Sequence, residues 1–410
     1  MHIRYLSLTN FRNYTRLEMT LPKRPLLLYG ANAQGKTSLL EAIYILATGS
    51  SPLTSSDRQL INWKAEAEGL PYARVRVEVV HRDHTQELEV VLEKNALANG
   101  GTRLQKTIRV DRVRKRRADL AGLLNVVLFM PQSVELVAGS PSGRRRYMDD
   151  TLCQVDGAYC AALSRYTQAL RQRNAALRHL RDEGGNPAQL VPFEETLARD
   201  GVVIANGRRD LLIALSRHAH RLHQQLTGRA EWLQLEYQPN FDPGTPPVLK
   251  HQMGMDLPDA QSHPPDIENE KLTEAYQRAL KNRRSEEIAR GMTVFGPHRD
   301  EVRFIAGSPT QGTHEIDLGI YGSRGQQRTA VLALKLAELV FLQEQTGEAP
   351  VLLLDEVLAE LDMSRRRYLL AQMDDIEQAL LTATDPEMFN AKFRERAALW
   401  KVKRGIIKRQ

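Results

Sequence analysis

The chain has 410 residues, 42% of them hydrophobic and 26% charged, with a formal net charge of +7. That length calls for roughly two or three domains, and the ordinary composition excludes a disordered, collagen-like or disulfide-stapled chain. No run approaches the eighteen or so apolar residues that span a bilayer, and the basic excess suggests a polyanionic partner.

In chain order, the opening MHIRYLSLTNF carries charge inside its first apolar run and has no long apolar core. This argues against a secretory leader and for a cytoplasmic protein. PLLLYGANAQGKTSLLEAIYILATG then reads as strand, glycine loop and helix. Within it Gly30, Ala31, Asn32, Ala33, Gln34, Gly35, Lys36, Thr37 and Ser38 form a complete P-loop in the required context. Small residues let backbone N–H groups curl around phosphate oxygens, and the helix beginning near Lys36 turns its positive dipole end toward them. Lys36 is expected on the β- and γ-phosphates and the Thr37 hydroxyl on Mg²⁺, with ATP as the nucleotide.

Residues 74–117 alternate as strands of an antiparallel sheet beside the P-loop. Their last stretch holds Arg103, Lys106, Arg109, Arg112, Arg114, Lys115, Arg116 and Arg117 against one acid, Asp111. Such a run is usually a solvated face; Arg112, Arg114, Lys115, Arg116 and Arg117 are also candidates for contact with DNA phosphates. VVLFMPQ reads as a buried strand ending near Gln132. From about 147 to 228, apolar residues recur at three-and-four spacing, with a turn at 181–187. Two antiparallel helices of about 25–35 residues would span roughly 40–50 Å. Cys153 and Cys160 lie seven apart, two turns along one helix face and too far apart to bridge, so they read as buried thiols. AEWLQLEYQPNF reads as a strand, and 239–266 hold seven of the nineteen prolines, a loop or connection. LTEAYQRALKNRRSEEIARG reads as a helix leading back.

In YGSRGQQRTA, Ser323, Arg324, Gly325 and Gln326 open an apolar helix. Taken alone, Ser323 is a helix N-cap. APVLLLDEVLAELD follows: a continuous apolar run, as in a strand buried on both faces of a parallel sheet, ends in Asp355 and Glu356. Asp355 would hold Mg²⁺, directly or through water, and Glu356 would polarise the attacking water.

The two halves of one nucleotide site thus stand near opposite chain ends. This layout resembles the ABC-type ATPases related to SMC proteins. It implies an α/β fold: an ABC-type P-loop head built from both chain ends, with an inserted helical arm domain. The expected division is 1–140 for the first part of the head, 141–290 for the arm and Pro-rich connection, and 291–410 for the rest of the head. In such ATPases a Ser-Gly-Gly-Gln-like signature faces the γ-phosphate bound by a second copy, which Ser323–Gln326 resemble. A glutamine at a strand end reaches Mg²⁺ and the attacking water, which makes Gln132 the candidate here. Where most of these enzymes place a histidine, this chain has LLTATDPEMF, with Thr382, Thr384 and Asp385. Threonine carries no positive charge toward a γ-phosphate, so slow hydrolysis is expected.

YLSLTNFRNY, GANAQGKTSLLEAIYIL, SSDRQLI, GSPSGRRRYMD, GPHRDE, YGSRGQQRT and LLLDEVLAELD occur in that order. Together they resemble the RecF family of bacterial DNA-repair proteins. The resemblance implies a head that dimerises on ATP, hydrolyses it slowly with DNA stimulation, and binds double-stranded, gapped or junction DNA without sequence preference. It also implies partnership with RecO and RecR in loading the RecA recombinase, and a place in the SOS response. Carried over by residue, Asp362 is the D-loop acid that crosses the dimer interface, and Arg12 in NFRNY is a candidate phosphate contact. His298 and Arg299 in GPHRD are family-like but receive no physical role from sequence. One alternative is an SMC-like chromosome clamp, whose arm would be far longer. A transporter ATPase subunit would lack the inserted helical pair.

Overall fold

The structure, a computed structural model, describes residues 1–96, 101–241, 269–308, 315–373 and 376–409. The expected Pro-rich connection lies, from residue 242 onward, outside the described residues.

A six-stranded sheet forms the centre of the head. Its strands run in the order Ile406–Arg409, Ala398–Lys403, Leu26–Tyr29, Ala379–Ala383, Val351–Asp355, Val126–Phe129, and every neighbouring pair but the first is parallel. Both chain ends therefore supply one sheet. The strands Leu26–Tyr29, Val126–Phe129, Val351–Asp355 and Ala379–Ala383 are buried at every position, which is why their sequences are apolar without alternation. The period-2 pleat sorts them between two cores. Leu26, Leu28, Val351, Leu353 and Leu380 face one; Leu27, Leu352, Leu354 and Leu381 face the other.

The first core holds the helix Lys36–Thr48 between this sheet and a second, antiparallel one. That second sheet runs Tyr14–Thr20, His2–Phe11, Tyr72–Val80, Thr85–Ala96, Thr102–Val110, Val113–Lys115. Its strand Tyr72–Val80 buries every second residue, as the alternation in RVRVEVV requires. Leu39, Ile43 and Leu46 of the helix pack with Val75, Val77, Leu88 and Val90.

The second core joins the helix Arg324–Thr346 to the arm. The arm is the antiparallel pair Gly157–Glu183 and Val191–Leu226, with 27 and 36 residues, or about 40 and 54 Å of helix. The helical region begins earlier than expected, with Pro141–Cys153 as a separate helix. Cys153 thus ends one helix and Cys160 lies in the next. The two are buried free thiols on separate helices rather than two turns apart on one face. The expected single helix over 272–291 is two, Asn269–Asn282 and Arg284–Arg290. Trp232–Gln238 is a strand, as expected, and pairs with Glu301–Gly307 in a small antiparallel sheet completed by Ile316–Asp317. No helix among the described residues is long and apolar enough to cross a membrane.

Candidate functional site

The glycine loop sits between the end of Leu26–Tyr29 and the start of Lys36–Thr48, and its shape is forced by what surrounds it. Gly30 has φ +148°, and a Cβ there would lie 2.4 Å from the Val402 carbonyl oxygen. Gly35 has φ +111°, and a Cβ there would meet the Asn13 side chain at 2.5 Å. Only glycine satisfies both the backbone angles and the space. Tyr14 donates its hydroxyl to the Gly35 carbonyl at 2.9 Å. On the other flank, Gln34 accepts from the Arg404 N–H at its Oε1 (2.8 Å) and from the Gly405 N–H at its carbonyl (3.1 Å). The loop is therefore braced by two hairpin turns, neither of which the P-loop motif predicts.

Lys36, 4% exposed, donates to the Gly30 and Ala31 carbonyls at 2.6 and 3.1 Å, and its ammonium lies 3.0 Å from Glu356 Oε1. Thr37 Oγ1 donates to Asp355, at 2.8 Å from Oδ2 and 3.0 Å from Oδ1. These residues are 318 apart in sequence, and the contact brings the two motifs together in space. Ser38 follows in the first helical turn, half-buried. Thr382 completes the group. Its hydroxyl donates to Asp355 Oδ1 at 2.7 Å and accepts the Glu356 N–H at 2.9 Å. Sequence reasoning saw Thr382 only as the absence of a histidine. Its signal is the position: Asp355 pairs with Thr382 in the register of adjacent parallel strands.

Burial raises the Asp355 carboxyl above the ordinary carboxylate range and Glu356 raises it further, against the hydroxyl bonds from Thr382 and Thr37. A buried carboxylate held this way favours a cation. One carboxylate and one hydroxyl suit Mg²⁺, which takes few protein ligands and shares the rest with phosphate and water. Among the described residues no group of three or more His, Cys, Asp or Glu side chains could hold a metal ion by itself. Glu356 has φ +53°, a left-handed conformation unusual outside glycine. The turn after the strand thus bends the side chain back toward Lys36.

Three expected residues are placed differently. Arg12 makes a two-pronged ion pair with Glu41 (2.7 and 2.8 Å) and donates to the Gln59 carbonyl at 3.1 Å, so it braces the P-loop helix from behind. Glu41 is 1% exposed, and a buried carboxylate demands such a partner. Gln132 lies in the turn Pro131–Val134, past the strand beside Asp355, and is exposed. Among the described residues no side-chain bond joins it to Asp355 or Glu356. Arg117 is turned inward, donating to the Thr48 carbonyl and to Asp150, both at 2.6 Å. Arg112, Arg114, Lys115 and Arg116 are exposed, the middle two on an edge strand.

Ser323 caps the helix Arg324–Thr346 in a reciprocal box. Its Oγ accepts the Gln326 N–H at 3.2 Å, and its own N–H goes to Gln326 Oε1 at 2.9 Å. Gln326 Nε2 also donates to Glu231 at 2.8 Å. Ser323, Arg324 and Gly325 are exposed, and among the described residues none bonds to the P-loop. Arg328, one turn on, pairs with Glu360, tying this helix to the turn before Asp362. Asp362, itself exposed, caps Met363–Gln372 by accepting from the Ser364 and Arg365 N–H groups at 2.9 and 3.0 Å.

Residues 2–408 match the RecF/RecN/SMC N terminal domain family. The DNA replication and repair protein RecF of Chloroflexus aurantiacus is 41% identical over 417 residues, with 99% of each chain covered. That of Chloroflexus aggregans is 41% identical over 419 residues, with the same coverage. Among solved structures, the recombination mediator protein RecF-ATP of the RecFOR pathway is similar at 28% identity. Its TM-score is 0.81, with 100% of this chain and 97% of that one covered.

Proposed function

The chain belongs to the RecF family of DNA replication and repair proteins, and from that premise we propose that it is a DNA-binding ATPase whose nucleotide site is completed only by a second copy. The observation that carries the proposal is the separation of two parts of one chemistry. The P-loop, Thr37, Asp355 and Glu356 are assembled in one place. The Ser323-capped helix start, a second anion-binding feature, opens to solvent with no bond to them.

In this reading the triphosphate of ATP lies along the backbone N–H groups of Gly30–Ser38, and Lys36 exchanges its carbonyl partners for phosphate oxygens. Thr37 and Asp355 would hold Mg²⁺, which would supply positive charge against the negative charge of the triphosphate. Glu356 orients a water and accepts its proton as the oxygen attacks the γ-phosphorus. The bond to the bridging oxygen breaks, leaving ADP and phosphate. Gln132 would approach the same water once its turn closes on the nucleotide. Ser323 and Gln326 of the second copy donate to the γ-phosphate, and Asp362 crosses the interface beside them. Because ATP then contacts both copies, its binding free energy stabilises the dimer, and hydrolysis releases it. With Thr382 and Thr384 where a histidine would bring charge, hydrolysis is slow and suits a switch.

Family membership supports the rest of the reading. It is a cytoplasmic protein that binds double-stranded, gapped or junction DNA through phosphates. It acts with RecR and RecO to load RecA in gap repair and the SOS response. The arm, at 27 and 36 residues, is too short for an SMC-like clamp that embraces DNA by its coiled coil.

The test is molar mass by light scattering. The wild type should double in mass with saturating ATP. Ser323→Arg should stay monomeric while its P-loop still binds nucleotide. A wild type that remains monomeric with ATP and gapped DNA would overturn the shared site.

A further inference from the structure

The hairpin Ala398–Lys403 and Ile406–Arg409 forms the outer edge of the central sheet. Its twelve residues, 398–409, carry five cations, Lys401, Lys403, Arg404, Lys408 and Arg409, and no acid. The pleat separates them. Trp400 and Val402 are buried, while Lys401 and Lys403 are exposed on the opposite face. The register sets Lys401 directly against Lys408, and Lys403 against Ile406, which is 63% exposed. Arg409 stacks on Trp400 at 5.1 Å, and Arg404 stands in the turn.

Like charges directly opposite on paired strands destabilise a sheet. A carboxylate nearby would relieve them, yet among the described residues Lys401, Lys403, Arg404 and Lys408 have none. The basic stretch 103–117 is divided: Lys106 pairs with Asp57, Arg109 with Glu89, Arg116 with Asp119 and Arg117 with Asp150, while among the described residues Arg103, Arg112, Arg114 and Lys115 have no ion pair. The hairpin's solvent-facing cations have none either, and a phosphate placed against them would offset their mutual repulsion. A lysine that merely guards a free sheet edge needs no second lysine opposite it.

Position adds a second reason. The Arg404 and Gly405 N–H groups hold Gln34 of the P-loop, so the turn of this hairpin abuts the nucleotide loop. We propose that the solvent face of this hairpin, Lys401, Lys403 and Lys408 with Arg404 at its tip, is a contact surface for the phosphate backbone of DNA. The proposal rests on the DNA-binding reading above and adds a contact at the edge of the central sheet to the exposed candidates Arg112, Arg114 and Lys115.

The test measures affinity for a gapped duplex across a salt series. It compares the wild type with the triple variants K401Q/K403Q/K408Q and K401E/K403E/K408E. Losing three phosphate contacts should flatten the slope of log K against log salt by roughly 2.7 in the Gln variant, at about 0.9 per contact. Affinity near 0.1 M salt should drop at least about tenfold, and further for the Glu variant. Nucleotide affinity without DNA should stay at the wild-type value, and the Gln variant, relieved of repulsion, should melt no lower. Wild-type slope and affinity in a folded Gln variant would overturn the hairpin surface and leave the DNA-binding reading standing. A wild type with no salt-dependent DNA binding at all would overturn both.

Discussion

Asp355 receives hydroxyl bonds from Thr37 and Thr382, yet burial and the adjacent Glu356 still raise its carboxyl above the ordinary range. A folded-state value above the unfolded one means that the native state gains stability below the unfolded value and loses it as pH rises toward the folded one. At neutral pH Asp355 therefore weighs against folding. Asp355→Asn should raise the melting temperature of the nucleotide-free protein and abolish Mg²⁺-dependent nucleotide binding, the trade expected of a binding site. Calorimetry and nucleotide titration check both; a lowered melting temperature would mean that the carboxylate is structural. His298 shows the opposite sign. Burial lowers its imidazole to about 4, while its ring nitrogens bond Tyr166 Oη at 2.7 Å and the Thr293 carbonyl at 3.1 Å. The unfolded chain takes up this proton near 6.5 and the native state only near 4. The contribution is thus complete above the unfolded value and disappears as pH falls through that window. The difference is worth roughly 3 kcal/mol. Urea unfolding between pH 7 and 4.5 should show a clearly smaller loss of stability in His298→Gln than in the wild type. Parallel curves would remove His298 from the acid response.

At the scale of elements, what the sequence disclosed depended on range. The four-residue apolar run before the P-loop and the run before Asp355 were legible because a strand buried on both faces has no polar positions. The arm was legible because its seam repeats at helical spacing. The break between Cys153 and Gly157 was not, since apolar periodicity continues across it and only the Asp156 cap, accepting the Tyr159 N–H at 2.9 Å, marks it. The brace of Gln34 by Arg404 and the pairing of Arg12 with Glu41 were illegible for another reason: each joins segments whose proximity the topology creates. Gly201 shows the same limit. It sits within the second arm helix, where glycine lowers helix stability by about 1 kcal/mol relative to alanine. The reason it is there is Tyr276 of the returning helix, fully buried, whose ring would lie 2.5 Å from an added Cβ. Gly201→Ala should consequently destabilise, by about 1–3 kcal/mol of overpacking. Gly143, with open space around it, gains propensity and should stabilise on the same change. Denaturant midpoints of the two variants moving in the same direction would refute the steric account.

For the whole molecule, the question is what makes an arm and a head one body. GPHRDE and GSPSGRRRYMDD, which carried no chemistry on paper, meet here. Arg208, from the long arm helix and 3% exposed, makes a two-pronged pair with Asp149 (2.9 and 3.0 Å). It also donates to Asp300 at 3.0 Å and to the Pro297 carbonyl at 2.6 Å. Asp300 also takes the Tyr237 hydroxyl at 2.5 Å and the Asn240 N–H at 2.9 Å. Arg144 pairs with Glu301, and Arg145 donates to the Asp300 carbonyl. The neighbouring Asp150 accepts from Arg117, which also holds the Thr48 carbonyl at the end of the P-loop helix. Breaking a buried pair by removing one partner leaves uncompensated charge and costs about 3–5 kcal/mol, whereas removing the whole set with packing kept is often neutral. Arg208→Met should therefore destabilise the folded chain by that amount, and adding Asp149→Asn and Asp300→Asn to it should recover a large part. If Arg208→Met loses less than about 1 kcal/mol in urea unfolding, apolar packing alone unites the arm and the head.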